Sequence, residues 1–110
     1  MPAFLNPYVG NIPDKPMTSS ELVRALRLDL AGELEATATY NAHADACDDP
    51  VVKKVLESIA NEERVHVGEL QRLVQYLAGD EKDFLAKGKK EVDDVAKTFE
   101  SEDESKKETE

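Results

Sequence analysis

Cysteine is nearly missing from this chain: Cys47 stands alone among 110 residues. A single thiol excludes an intrachain disulfide and suits a reducing compartment. No CxxC pair occurs, so neither a structural zinc site nor a rubredoxin-type iron site is available. Glycine and proline are sparse, five of each, while 40 % of the residues are hydrophobic and many of those are Ala or Leu. That composition favours helices over a β-sandwich. Positive charge is also short. The 14 Lys and Arg against 24 Asp and Glu leave a formal net charge of −10. Such a balance argues against nucleic acid and against anionic membrane surfaces as partners, but it suits cations. The N-terminus has no basic-then-apolar leader pattern, and no apolar run approaches the ~18 residues of a membrane span. The expectation is a soluble, cytoplasmic protein of one small domain, with self-association supplying part of its stability.

What is present is organised in blocks. Residues 1–17 hold four of the five prolines and read as an extended arm, which either docks through Phe4, Leu5 and Tyr8 or moves freely. Thr18 followed by Glu21 forms a capping box that starts a first helix running to about Cys47. Asp49 before Pro50 is an N-cap followed by a first-turn proline, so a second helix begins there and runs to about Ala78. Gly79 is expected to close it as a left-handed cap. Each helix is roughly 29 residues, or about 44 Å, and the short turn folds them into an antiparallel hairpin. A third, shorter helix is expected over about 80–99, with Phe84, Val92, Val95 and Phe99 near one face and Gly88 weakening it. Residues 100–110 read as an acidic, disordered tail or linker. The fold class is therefore all-α: a helical domain over 18–99, an antiparallel hairpin plus a short C-terminal helix, expected to be half of a four-helix bundle that dimerisation completes.

Both long helices carry an apolar stripe broken by acids. On the first, Leu22, Leu26, Leu30, Glu33, Thr37, Tyr40 and Ala44 follow at steps of three or four. On the second, Val52, Val55 or Leu56, Ile59, Glu63, His66, Leu70, Leu73 and Leu77 do the same. Burying an ionisable group costs several kcal/mol unless a partner or metal offsets it. With the turn near residue 49, Glu33 lies about 16 residues before it, and Glu63 and His66 about 14 and 17 after, so the three share one height. Glu63 and His66, at i and i+3, point to the same side. This is half of a di-iron carboxylate site, in which two Glu helices are matched by two Glu-x-x-His helices. A second copy related by a two-fold axis supplies the rest. Carboxylates favour ferric iron and imidazole adds affinity, whereas one His per chain is poor for catalytic zinc.

Other candidates have plainer readings beside the functional one. Tyr40, two turns beyond Glu33, either hydrogen-bonds near the metals or serves as a core tyrosine. Glu62 replaces Glu63 if the helix phase is off by one residue. Glu69 is turned about 120° from Glu63 and reads as solvated. Asp29 and Glu35 lie off the stripe on a wet face. His43 suits the C-terminal end of the helix dipole, and Cys47 reads as a small buried hydrophobe.

The segments "GELEATATYNAHADAC" and "NEERVHVGEL", with the Asp-Asp-Pro turn between them, resemble the encapsulated ferritins, ferritin-like cargo of encapsulin compartments. The opening "NIPDKPMTSSELVRAL" is similar to archaeal forms in which such a domain precedes the shell protein. The resemblance covers about residues 10–80. It implies a hairpin plus a short C-terminal helix, an open ring of five dimers, and a ferroxidase site formed between subunits. It places the metal ligands on Glu33, Glu63 and His66 and the site tyrosine on Tyr40. Two positions depart from the family pattern. The carboxylate pair where iron enters falls on Gly32 and Glu35, and the aromatic neighbour of the tyrosine falls on Thr39. No short apolar targeting tail ends the sequence.

The resemblance and the residues together give one leading expectation: a homodimer assembling to a ring-shaped decamer that oxidises Fe²⁺ to Fe³⁺ at a di-iron centre, inside an encapsulin shell in the cytoplasm. The alternatives are a rubrerythrin-like di-iron peroxidase and a helical cargo or adaptor protein in which Glu63 and His66 merely pair.

Overall fold

Thr18 and Asp49 set the two starting points of the fold. In the computed structural model, which describes residues 14–108, Thr18 Oγ1 accepts from the Glu21 backbone N–H at 3.2 Å and the Glu21 carboxylate accepts from the Thr18 N–H at 3.2 Å. This reciprocal capping box opens α1, Ser19–Asp45. Asp49 Oδ1 accepts from the N–H groups of Val51 and Val52 at 2.9 and 3.2 Å, and Pro50 takes the first helical position. There α2 begins, Pro50–Leu77. The proposed arm anchors Phe4, Leu5 and Tyr8 lie outside the described residues.

The turn between α1 and α2 is closed by its own polar groups. The Cys47 N–H donates to the Ala44 carbonyl at 3.2 Å. The Lys53 Nζ reaches back from α2 to the same carbonyl at 3.0 Å, so a cation ties off the C-terminal end of α1. The helices pack side by side as the expected hairpin. Their contact is lean: Ala25, Ala44, Ala60 and Val74 are the buried residues among those described. Alanines at a helix contact let the backbones approach toward the near end of the roughly 8–10 Å range.

Larger apolar groups face outward instead. Val52, Val55 and Leu73 on α2 are 46–52 % exposed, and Leu28 and Leu34 on α1 are also exposed. With half-buried Ile59 and Leu70, the α2 residues form one face that Glu63 and His66 interrupt at its middle. That is the pattern of a helix pair awaiting a further layer.

Helix α2 does not end as expected. Gly79 is not left-handed; the chain leaves the helix because Ala78 turns extended, at φ −109° and ψ 94°. The chain divides into two compact units at this point, between Ala78 and Gly79. The second unit is one helix, α3, Glu81–Glu108, whose first turn hydrogen-bonds to the Asp80 carbonyl. It corrects the expectation of a short third helix ending near 99 before a disordered tail. Gly88 does not interrupt it. Glu and Lys are good helix formers, and the i, i+4 pairs Lys89–Asp93 and Lys90–Asp94, each 2.7 Å, support it. The described residues hold three helices and no strand, and none of these helices is long and apolar enough to cross a membrane.

Candidate metal centre

Glu33 sits midway along α1, and Glu63 and His66 sit midway along α2, because the turn at 46–49 folds equal lengths of helix back on each other. One ligand atom from each of the three lies within 4.8 Å of the others. His66 Nδ1 is 3.4 Å from Glu63 Oε2 and 3.6 Å from Glu33 Oε2. The first separation is at best a long hydrogen bond and the second is too long to be one. The three groups therefore converge with one long hydrogen bond, His66 to Glu63, between them.

The donor set fits a metal ion. Coordination bonds of ~2.0–2.2 Å at angles near 90–110° hold neighbouring ligand atoms ~3.0–3.5 Å apart, close to the 3.4 and 3.6 Å from His66 Nδ1 to the two carboxylates. Carboxylate oxygens with one imidazole suit iron or manganese better than a thiolate-preferring metal. The residues present thus fit the iron expected of them, and they fit it incompletely. Three side chains leave most of an iron ion's coordination open.

That open side faces outward. The side chains of Glu33 and Glu63 are 29 % and 18 % exposed, while that of His66 is 48 % exposed. Beside them runs a shallow groove bordered by Leu28, Gly32, Ala36 and Leu70. Composition and spacing did not single out this groove, although Gly32 and Ala36, small residues four apart beside Glu33, were its signal. A Cβ built on Gly32 meets no atom within 4 Å, so packing within the chain does not demand glycine where the resemblance expects a carboxylate. The Thr37 hydroxyl donates to the Glu33 carbonyl at 2.9 Å and is spent on the backbone of α1.

Glu62 is exposed and lines a different surface, with Lys54, Ser58 and Val65, so the helix phase turns Glu63, not Glu62, toward Glu33 and His66. Glu69, Glu35 and His43 are exposed, whereas Asp29, also exposed, borders the same groove as Glu33 and Glu63. Tyr40 is half-buried and stands about 10 Å further along α1 than Glu33, outside the cluster of ligand atoms. Thr39 turns its hydroxyl to the Glu35 carbonyl at 2.9 Å. Cys47 is half-buried, with Sγ donating to the Asp49 carbonyl at 3.5 Å, and is not fully buried as expected.

Comparison with known proteins bears on the family and the fold. The sequence model of the family described as Rubrerythrin matches residues 25–108. The chain is 39 % identical over 72 residues to the encapsulin nanocompartment cargo protein EncC of Myxococcus xanthus, covering 66 % of this chain and 55 % of that protein. It is 37 % identical over 91 residues to the ferritin-like-encapsulin shell fusion protein of Pyrococcus furiosus, covering 83 % of this chain and 26 % of that one. The chain thus spans about half or less of the length of these curated relatives. The crystal structure of the encapsulated ferritin domain from Pyrococcus furiosus superposes with a TM-score of 0.74 at 37 % identity, covering 84 % of this chain and 93 % of that chain.

Proposed function

The chain belongs to the rubrerythrin family of ferritin-like proteins, and from that premise we propose that it is a ferroxidase, oxidising Fe²⁺ to Fe³⁺ at a di-iron site shared by two subunits. The observation that carries this reading is the convergence of Glu33, Glu63 and His66 on an outward-facing side of the hairpin. These are half of the two-Glu, two-ExxH complement of a di-iron carboxylate centre. A second copy, turned about a two-fold axis and laid against the exposed face of α2, brings the missing half. The same contact covers Val52, Val55 and Leu73, which otherwise remain in water.

Fe²⁺ is the substrate, and a pair of ions would supply two electrons to one dioxygen, which with two protons leaves as hydrogen peroxide. Glu33 and Glu63 would hold the ions, and their negative charge would favour the ferric product. His66 would be a further ligand, with Nδ1 already turned toward both carboxylates. Covering the face removes bulk water and strengthens each of these electrostatic contacts. Tyr40 is too far along its own helix to reach its own chain's ligand atoms, so its hydroxyl acts on the site through the second copy.

Anaerobic titration with Fe²⁺ followed by oxygen tests the reading. Iron-dependent absorbance should develop in the native chain and be lost in Glu63→Ala and His66→Ala. No iron-dependent signal in the native chain would leave the adaptor reading standing. The family match also favours a second reading, reduction of peroxide at the same centre, and a faster oxidation with peroxide than with oxygen would establish it.

The relatives, an encapsulin cargo protein and a shell fusion, support a place inside an encapsulin compartment. The subunits would form a ring of five dimers that passes Fe³⁺ to the shell interior, since an open ring has no interior of its own. Metal binding is then linked to assembly. Native mass should rise when iron is added, and an unchanged mass would refute that linkage.

A further inference from the structure

The groove beside the centre carries a carboxylate that the three ligands do not include. Asp29 is exposed, and it borders the same groove as Glu33 and Glu63. It stands four residues before Glu33 on α1, so an ideal helix sets the two about 6 Å apart along the axis and about 40° apart around it.

This placement has a cost that nothing in the hairpin offsets. The residues three and four positions from Asp29 are Ala25, Leu26, Gly32 and Glu33. Its helical neighbours thus offer no cation and one like charge at i, i+4, an arrangement that destabilises a helix. On α3, by contrast, Asp93 and Asp94 each have a lysine at 2.7 Å. Among the described residues Asp29 has no ion-pair partner. Gly32, at a height between Asp29 and Glu33, leaves the groove bare, and a Cβ there would meet no atom within 4 Å. Shielding from water grows along the same line. Asp29 is exposed, while the side chains of Glu33 and Glu63 are 29 % and 18 % exposed.

We propose that Asp29 is the receiving ligand of the centre: it takes a hydrated Fe²⁺ from solvent and passes it over Gly32 to Glu33, Glu63 and His66. The proposal rests on the ferroxidase reading and adds to it the route of the substrate. The step is ligand exchange, and no electron moves. One carboxylate oxygen of Asp29 replaces one water of the ion, and Glu33 then replaces Asp29 as further waters leave. Taking an ion out of water is expensive, and a staged route divides that cost between an exposed carboxylate and two shielded ones. Transfer runs inward because two carboxylates and an imidazole hold a divalent cation more tightly than one exposed carboxylate does.

Anaerobic stopped-flow binding of Co²⁺ to the full chain, followed by its visible absorption, reads arrival without oxidation. Asp29→Asn keeps the shape and removes the charge. It should slow Co²⁺ association several-fold at low salt, with the difference narrowing as salt is raised. The number of ions bound at saturation should not change. Asp45→Asn, the same substitution at an exposed position near the turn, should bind at the native rate; equal slowing in both would assign the effect to net charge and overturn the proposal. Asp29→Asn/Gly32→Glu returns a carboxylate to the groove and should recover the lost rate. An Asp29→Asn chain as fast as the native one would overturn the receiving role yet leave the centre in place, since saturation and its loss in Glu63→Ala are read in the same experiment. Fewer ions bound by Asp29→Asn would also overturn it, by making Asp29 a resident ligand. A native chain that takes up no Co²⁺ would refute the centre and the receiving role together.

Discussion

Replacing Glu63 by Gln should make the metal-free protein more stable while destroying its affinity for iron. Glu33 and Glu63 hold carboxylate oxygens within 4.8 Å of each other. Two unit charges at that distance repel by about 3.5 kcal/mol at an effective dielectric of 20 and by about 0.9 kcal/mol in bulk water. The side chains are 29 % and 18 % exposed, and the half-exposed His66 beside them admits solvent, which draws the figure toward the lower end. Relief of about 1 kcal/mol is expected. For a domain of this size that raises Tm by roughly 4–8 °C. Gln is isosteric with Glu, and its carbonyl keeps an acceptor for His66 Nδ1. The assay is thermal and urea unfolding in chelator, alongside Fe²⁺ binding. A Glu63→Gln chain that unfolds earlier than the native one would refute the reasoning. It would mean that the carboxylate is a structural partner of His66, not a ligand held in readiness.

Other perturbations have definite signs. Asp49→Ala removes the acceptor for two N–H groups at the start of α2 and should cost about 1 kcal/mol, seen as a lower urea midpoint; an unchanged midpoint would count against the cap. Gly68 lies within α2, and a Cβ added there meets no atom within 4 Å, so Gly68→Ala should stabilise by roughly 0.5–1 kcal/mol, and a drop in Tm would contradict it. Hydrogen bonds from the Thr18 backbone N–H and then the Thr18 side chain hold the Glu21 carboxyl below its ordinary pKa. Its contribution is therefore complete above the unfolded value and is lost as pH falls through the lower folded value. Unfolding measured from pH 6 to pH 3 should show the native chain losing ground to Glu21→Gln on acidification, and parallel curves would refute the linkage.

The hairpin and the meeting of Glu33, Glu63 and His66 were legible because their signals are local or add along a helix. Thr18–Glu21 and Asp49–Pro50 fix two starting points by backbone chemistry alone, and a rigid rise per residue then turns sequence distance from the turn into height. That is why Glu33 met Glu63 and His66. The choice of Glu63 over Glu62 followed from the stripe's phase. The misreadings have a shared origin in treating composition as conformation. Gly79 looked like a left-handed cap, but Ala78 ends the helix by turning extended one residue earlier. The charged run after Phe99 looked disordered, yet Glu and Lys at helical spacing sustain α3 to Glu108. The groove beside Glu33 stayed hidden because it depends on how two helices lie together, and a one-dimensional stripe does not contain that.

The lean interior of the hairpin has a consequence for the life of the chain in a cell. With three alanines and a valine as its buried residues among those described, a lone subunit has little to set against the entropy of unfolding. Its open form would be correspondingly populated, and proteases act on the open form. Under the proposed self-association, survival would depend on abundance: a newly made chain would be short-lived while scarce and durable once enough copies surround it. Orphan subunits would be cleared without a dedicated signal, and the rate of synthesis would set a threshold below which no assembly accumulates.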